Sequence, residues 1–188
     1  MTAVLVVCPS VTASHAARFC AAVQTAMAGG ADLRAVLVAN DGATQQLADR
    51  WPDIVVSGTN AGFAASINRG AAGGDFAWLV VANDDMDYDA DTFVRLCDDL
   101  AGEPPDERRL IRLSRELPWR RIPGAAGVFA NLSMLEQVAF GLGGRPDTTT
   151  LDPEDPGLYP PMSLVAISAT LWREVGGLEE AMPFCYED

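Results

Sequence analysis

Phe76-Ala77-Trp78-Leu79-Val80-Val81-Ala82-Asn83-Asp84-Asp85 is the stretch that decides the fold: an almost wholly apolar run leads straight into an amide and two carboxylates. An apolar run of strand length with no polar alternation needs apolar neighbours on both faces, the condition of a strand inside a parallel sheet covered by helices. The abrupt change to Asn-Asp-Asp marks where that strand leaves the core. The acidic turn therefore belongs to the carboxyl edge of the sheet.

Upstream the same grammar repeats. Residues 4–8 form an apolar run stopped by Pro9, residues 35–39 form another ended by the Asn40-Asp41-Gly42 turn, and Ile54-Val55-Val56 follows Trp51-Pro52. Between these runs Ala16, Cys20, Val23 and Met27 recur at helical spacing up to Gly29-Gly30. A short helix is expected over about residues 45–50, and another opens at the loop of residues 60–62 and runs to about Ala71. Downstream, Phe93, Leu96, Cys97 and Leu100 make an apolar helical stripe, with Asp89 or Asp91 placed as its N-cap. Strands alternating with helices predict an α/β protein with a mainly parallel, Rossmann-like sheet and helices on both faces. After Pro104-Pro105 the pattern weakens. Arg108, Arg112 and Arg115 share one face if helical, and an ion-paired, solvated face is their ordinary reading. A helix near residues 132–140, a long loop over 143–161, a strand over 163–167 and a short helix through Leu171-Trp172-Arg173 complete the expected order.

The chain has 188 residues, 49% of them hydrophobic, enough for one domain with a full core. Its formal charge of −13 excludes a protein that grips nucleic acid through the phosphate backbone, which requires a basic surface. A phosphate ligand would have to arrive with a metal ion. All the positive charge is arginine, a composition associated with GC-rich bacterial coding. The N-terminus has no basic region before its apolar run, and no stretch approaches the roughly 20 apolar residues of a membrane span, so a cytoplasmic protein without an integral membrane segment is expected. Cys8, Cys20, Cys97 and Cys185 are scattered, with neither a disulfide framework nor a zinc spacing. His15 is the only histidine, which directs the search for acid–base groups to the carboxylates.

Ligands of open parallel sheets sit at the carboxyl ends of the strands, here the loops after Cys8, Ala39, Val56 and Ala82. Pro9 stands where a dinucleotide site would show Gly-x-Gly-x-x-Gly, and no Gly-x-x-x-x-Gly-Lys occurs, so hydride transfer on a Rossmann fingerprint and a P-loop both lack support. Asn83, Asp84 and Asp85 offer hard oxygen ligands for Mg²⁺ or Mn²⁺ bound with a diphosphate; on their own an acidic turn capping the next helix is the better reading. Asp85, Asp87, Asp89 and Asp91 alternate, but a calcium loop counted from Asp85 requires Gly at position 90 and Glu at position 96, where the chain has Ala90 and Leu96.

Taken in order, these pieces resemble the family 2 glycosyltransferases, and within them the rhamnosyltransferase-like branch. Val4-Leu5-Val6-Val7-Cys8-Pro9 looks like the opening strand and proline, and Val38-Ala39-Asn40-Asp41-Gly42-Ala43-Thr44 is similar to the Val-Asp/Asn-Asp-Gly-Ser-Thr turn. Asn60-Ala61-Gly62-Phe63-Ala64-Ala65-Ser66-Ile67-Asn68-Arg69-Gly70 matches the most specific element, Asn-x-Gly-Phe followed by Asn-x-Gly. Leu79 to Ala82 with Asn83-Asp84-Asp85 stands where the branch has an apolar strand and Asn-Pro-Asp, its form of the Asp-x-Asp metal motif. Leu171-Trp172-Arg173-Glu174-Val175-Gly176-Gly177-Leu178 and Phe184-Cys185-Tyr186-Glu187-Asp188 resemble the Gly-Gly-Phe-Asp-Glu and Glu-Asp region.

The resemblance implies a GT-A type fold over residues 1–188 as one domain, with a nucleotide-binding half at 1–100 and an acceptor-side half at 101–188. It implies that Pro9, Asn40 or Asp41, the loop of Asn60, Gly62 and Phe63, and Asn68 form the nucleotide-sugar pocket. Asp85 with Asp84 would bind Mn²⁺ or Mg²⁺ on the diphosphate, Asp188 would be the general base, and Glu187 would stand beside it on the acceptor side. The implied donor is a UDP-, dTDP- or GDP-sugar, and the acceptor a hydroxyl on a saccharide or lipid-linked molecule, at the inner membrane face in the latter case. Asn40 replaces an acidic residue common at the nucleoside position, Ala43 replaces Ser, and Leu178-Glu179 replaces Phe-Asp; these departures bear on donor identity and acceptor fit. Family members continue past residue 188, so a shortened chain is expected. Two other functions use a similar sheet. A sugar nucleotidyltransferase would carry a Gly-rich loop with Arg or Lys after the first strand, which Pro9-Ser10-Val11-Thr12 does not supply; a non-catalytic domain would bind the nucleotide sugar without turnover.

Overall fold

The computed structural model describes residues 2–113, 120–121, 158–159 and 163–181. They fall into two compact units: one of residues 1–114 and 162–188, the other of residues 115–161. Within the first unit the elements are β1 (Thr2–Ser10), α1 (Ala13–Ala28), β2 (Leu33–Ala39), α2 (Gly42–Gln45) running into a 3₁₀ turn (Gln46–Asp49), β3 (Val55–Ser57), α3 (Phe63–Ala71), β4 (Phe76–Ala82), α4 (Ala90–Ala101) and β5 (Leu110–Arg112). The second unit contributes the two-residue strands β6 (Arg120–Arg121) and β7 (Leu158–Tyr159), which pair antiparallel with each other. The first unit resumes with β8 (Leu164–Ser168) and α5 (Ala169–Val175).

The main sheet has the order β3-β2-β1-β4-β8-β5. β1 pairs in parallel with β2 and β4, and β2 with β3; β8 runs antiparallel to β4 and to β5. This is the mixed α/β, mostly parallel, Rossmann-like GT-A architecture. The pleat sorts each central strand between two cores. Val4, Val6, Cys8, Trp78, Val80 and Ala82 pack on one face with Phe19, Cys20 and Val23 of α1 and Phe93, Leu96 and Leu100 of α4. Leu5, Val7, Leu79 and Val81 pack on the other with Ile67 and Ala71 of α3 and Ala169 of α5. β4 is buried on both sides, as its unbroken apolar run requires. Among the described residues no helix is long and apolar enough to cross a membrane.

Several expectations shift in detail. The buried stripe of α1 is Ala16, Phe19, Cys20, Val23 and Ala26; Met27 has a suitable angle but lies in the last turn and is 41% exposed. The helix after Asn40 starts at Gly42, because the Asp41 side chain caps it. Residues 110–112 are a strand: β8 offers a free edge, and the ladder continues through Ser168 N–H to Arg109 O at 3.0 Å and Leu113 N–H to Leu164 O at 3.1 Å. Tertiary pairing overrides the helical spacing of the arginines. Arg108 pairs with Glu174 at 2.9 Å, and Arg109 with both Glu103 and Glu107. The expected strand at 163–167 begins one residue later and is reversed, a direction no hydrophobic pattern encodes. The helix expected near residues 132–140, and most of the loop expected over 143–161, lie outside the described residues.

Candidate functional site

β1 leads through α1 to β2 on one side, while β4 lies against the other side of β1, so the carboxyl ends of β1 and β4 form the switch point of the sheet. The loops after β1, β2, β3 and β4 meet there around a cleft of about 150 Å³. Pro9, Asn40, Asn60, Gly62, Phe63 and Asp84 line it, with Ser10 and Val11 between them. Asp41, Asn68 and Asp85 are not part of this lining.

Hydrogen bonds lace the loops into one rim. Asn40 N–H donates to Ser10 O at 2.9 Å, Gly58 N–H to Ala39 O at 2.8 Å, and Gln45 Nε2 to Gly58 O at 2.9 Å. The orientation of the Asn40 amide follows from its neighbour. Ser66 Oγ donates its single hydrogen to Gly62 O at 2.8 Å, so it can only accept at the 2.9 Å contact with Asn40, which makes the Asn40 atom there the donor Nδ2. Asn40 Oδ1 is consequently an acceptor, buried and without a partner. A Cβ at position 58 would lie 2.7 Å from that oxygen, so Gly58 is what lets the loop pass so close.

The rim turns into α3 through Gly62, at φ 103° and ψ 172°, a conformation reserved for glycine. Gly62 is the N-cap of α3, and no side chain caps the helix. Asn60, two residues earlier, does not cap the helix: it begins at Phe63, with glycine in the capping position. The first N–H groups of α3, uncapped, face the end of the helix where an anion is stabilised.

Opposite the amide, Ser10 Oγ donates to Asp84 Oδ2 at 2.5 Å and accepts from Thr12 N–H at 3.2 Å. Ser10 is buried, which fixes the Asp84 carboxylate against the end of β1. Asp85 is exposed beside it. Asn83 is held through its backbone, with its N–H on Ser163 O at 3.0 Å and its carbonyl accepting from Tyr88 OH at 2.7 Å, while its Oδ1 is buried without a partner. Tyr88 packs edge-on to Phe19, with ring centroids 5.8 Å apart, and tilted on Phe93 at 5.4 Å. Arg18 pairs with Asp87 at 3.1 Å across from α1. Burial pushes the Cys8 thiol well above its ordinary range, and the Asp84 carboxylate adds to the shift; burial likewise raises the Tyr88 phenol. Both stay neutral, so negative charge at this edge rests on the carboxylates. Among the described residues no three His, Cys, Asp or Glu side chains form a cage. Asp84, half-buried, and Asp85, exposed, are neighbouring carboxylates at this edge.

The other expected residues lie elsewhere or outside view. Asp41 Oδ1 accepts from Thr44 N–H at 2.7 Å and Thr44 Oγ1 at 2.6 Å, bonds that hold its carboxyl below the usual range; its role in the fold is to cap α2. Asn68 is bonded to Leu178 and Glu180 and borders a second cavity, of about 420 Å³, beside the start of β4. Trp51 and Trp78 are core residues, while Trp172 is half-buried on the second cavity. Glu187 and Asp188 lie outside the described residues. Sequence reasoning missed Ser10, Ser66 and Gln45, which orient the rim. Ser66 sits four residues after Gly62, the spacing at which a hydroxyl reaches back to a helix carbonyl, and that was a readable signal.

No family model matches the sequence, and no curated protein does. Among solved structures the chain is similar to S. aureus TarS 1-349, a family 2 glycosyltransferase, with a TM-score of 0.56 at 12% identity. The match covers 98% of this chain and 52% of that one, so the chain spans about half the length of that structure. At that identity the likeness is one of fold: the chain has a glycosyltransferase-like fold.

Proposed function

We propose that the chain binds a nucleoside diphosphate sugar in the switch-point cleft and serves transfer of the sugar to a hydroxyl acceptor with inversion. The observation that carries this reading is one cleft lined by the amides of Asn40 and Asn60, the glycine-led start of α3 and the Asp84 carboxylate that Ser10 holds, with Asp85 exposed next to Asp84 in the chain. A nucleobase presents N–H groups that such an oxygen accepts, and an uncapped helix terminus suits the diphosphate.

In this reading Asn40 and Asn60 hold the nucleoside, Gly62 lets the backbone approach, and Phe63 forms the apolar wall. Asp85, with Asp84 held by Ser10, would carry Mn²⁺ or Mg²⁺, whose chemistry when bound is neutralisation of the leaving diphosphate. The acceptor oxygen attacks the anomeric carbon opposite the diphosphate; the new C–O bond forms as the bond to the phosphate oxygen breaks, and a carboxylate takes the acceptor proton. By resemblance that carboxylate is Asp188, with Glu187 beside it. A direct test incubates the chain with UDP-, dTDP- and GDP-sugars and Mn²⁺ and measures release of the nucleoside diphosphate with and without saccharide acceptors. Release from one donor class is expected. Tight binding with no release to water or to any acceptor would instead make this a nucleotide-sugar-binding domain without turnover.

A further inference from the structure

Asn68 occupies a position unlike any other polar residue of α3. Its Oδ1 accepts from Leu178 N–H at 2.8 Å, and its Nδ2 donates to Leu178 O at 2.9 Å and to Glu180 Oε1 at 2.6 Å. Flipping the amide would set acceptor against acceptor and donor against donor, so the orientation is fixed. The amide reads the backbone of a segment 110 residues away in the chain, in the two-point manner of a strand pair.

The segment is shaped to receive it. Gly176 ends α5 in the left-handed region at φ 78°, and Gly177 follows at φ 101°. A Cβ on Gly177 would lie 2.7 Å from Asn68 Oδ1, so glycine is required there both by the backbone angle and by the approach of the amide. Leu178 then packs on the same core cluster as Phe63. Phe63 is the first residue of α3 and lines the cleft; Asn68 lies five residues on, about 7.5 Å along the helix axis. One rigid helix thus has the cleft at its start and the clamp further along. The clamped segment leads in sequence directly to Glu187 and Asp188.

We propose that Asn68 is a positioning residue, which clamps the backbone at Gly177 and Leu178 onto α3 and relays occupancy of the cleft to the segment that precedes the acidic end of the chain. The relay rests on the reading of the cleft as a nucleotide site; the clamp does not.

Amide hydrogen exchange by NMR tests both. In the unliganded chain, Asn68→Ala should speed exchange of the Leu178 amide by roughly five- to tenfold, the factor represented by one lost hydrogen bond, while β1 and β4 amides keep their rates. With UDP, dTDP or GDP and Mn²⁺, exchange of Leu178 in the parent chain should slow; Asn68→Ala should bind the same nucleotide equally well and lose that slowing. Gly177→Ala should behave as Asn68→Ala does, and combining the two should add nothing. Asn68→Leu, which fills a similar volume but offers no acceptor for Leu178 N–H, serves where the alanine variant fails to fold. Unchanged Leu178 exchange in the unliganded variants refutes the clamp. A loss of nucleotide affinity as large as the loss of protection refutes positioning and returns Asn68 to the pocket. A parent that binds nucleotide with no response at Leu178 refutes the relay alone, whereas a parent that binds none refutes the reading of the cleft and the relay with it.

Discussion

Asn40 differs from an aspartate by one N–H₂ group, and the rim of the cleft uses that group. Its Nδ2 satisfies Ser66, whose own hydrogen is committed to Gly62 O, and the arrangement leaves Oδ1 as an unpaired buried acceptor. An orphaned acceptor of this kind costs free energy until a ligand donates to it. Asn40→Ala removes that acceptor and should weaken nucleotide binding by about 1–3 kcal/mol, roughly 5- to 150-fold. Calorimetry with UDP, dTDP and GDP in Mn²⁺ measures it, and unchanged affinity for whichever nucleotide binds would remove Asn40 from the site. The residue scale is also where the sequence was least legible. Asn40 stood out in its turn, but the side-chain amide of Asn68 points to partners 110 residues away, and a motif places a residue in the chain without saying which way it faces.

At the scale of elements, α3 sits hard against β1. A Cβ at Gly70 would meet Val7 Cγ1 at 2.4 Å, with Val38 Cγ2 at 3.2 Å, inside a packed core. Gly70→Ala should therefore destabilise the fold by about 1–3 kcal/mol through overpacking, read as a lower denaturation midpoint. α4 is capped by Asp89, whose Oδ1 accepts from Thr92 N–H at 2.7 Å and Thr92 Oγ1 at 2.6 Å. These bonds hold the carboxyl below its ordinary value of 3.8. The sign follows: the cap stabilises fully above 3.8 and the benefit disappears as pH falls through the depressed folded value. Asp89→Ala should thus lower stability at neutral pH and flatten the acid limb of the stability profile, and a parallel acid limb in both proteins would count against the cap. The Asp89 cap and β4 were readable because each depends on residues within a few positions. β5 and the direction of β8 were not, because they depend on which edge is free, and the spacing of Arg108, Arg112 and Arg115 says nothing about that.

For the whole molecule, charge decides how a ligand can bind. A formal charge of −13, with Asp84 lining the cleft and Asp85 exposed next to it in the chain, repels a diphosphate, and Coulomb attraction has to come from a cation brought with it. Nucleotide alone should then leave the melting temperature nearly unchanged. With Mn²⁺ present and nucleotide at about a hundred times its Kd, linkage stabilises the native state by about 2.7 kcal/mol. In a domain of this size that raises Tm by roughly 5–10 °C. Asp85→Ala supplies the control: the side chain is exposed, so the unliganded melting temperature should hold while the metal-dependent gain disappears. Differential scanning fluorimetry over UDP-, dTDP- and GDP-sugars, with and without Mn²⁺, reads all of this and identifies the donor class by the largest shift. A gain of equal size without metal, or one that survives Asp85→Ala, would place the diphosphate away from the acidic turn. The first N–H groups of α3, uncapped after Gly62, would then be its site.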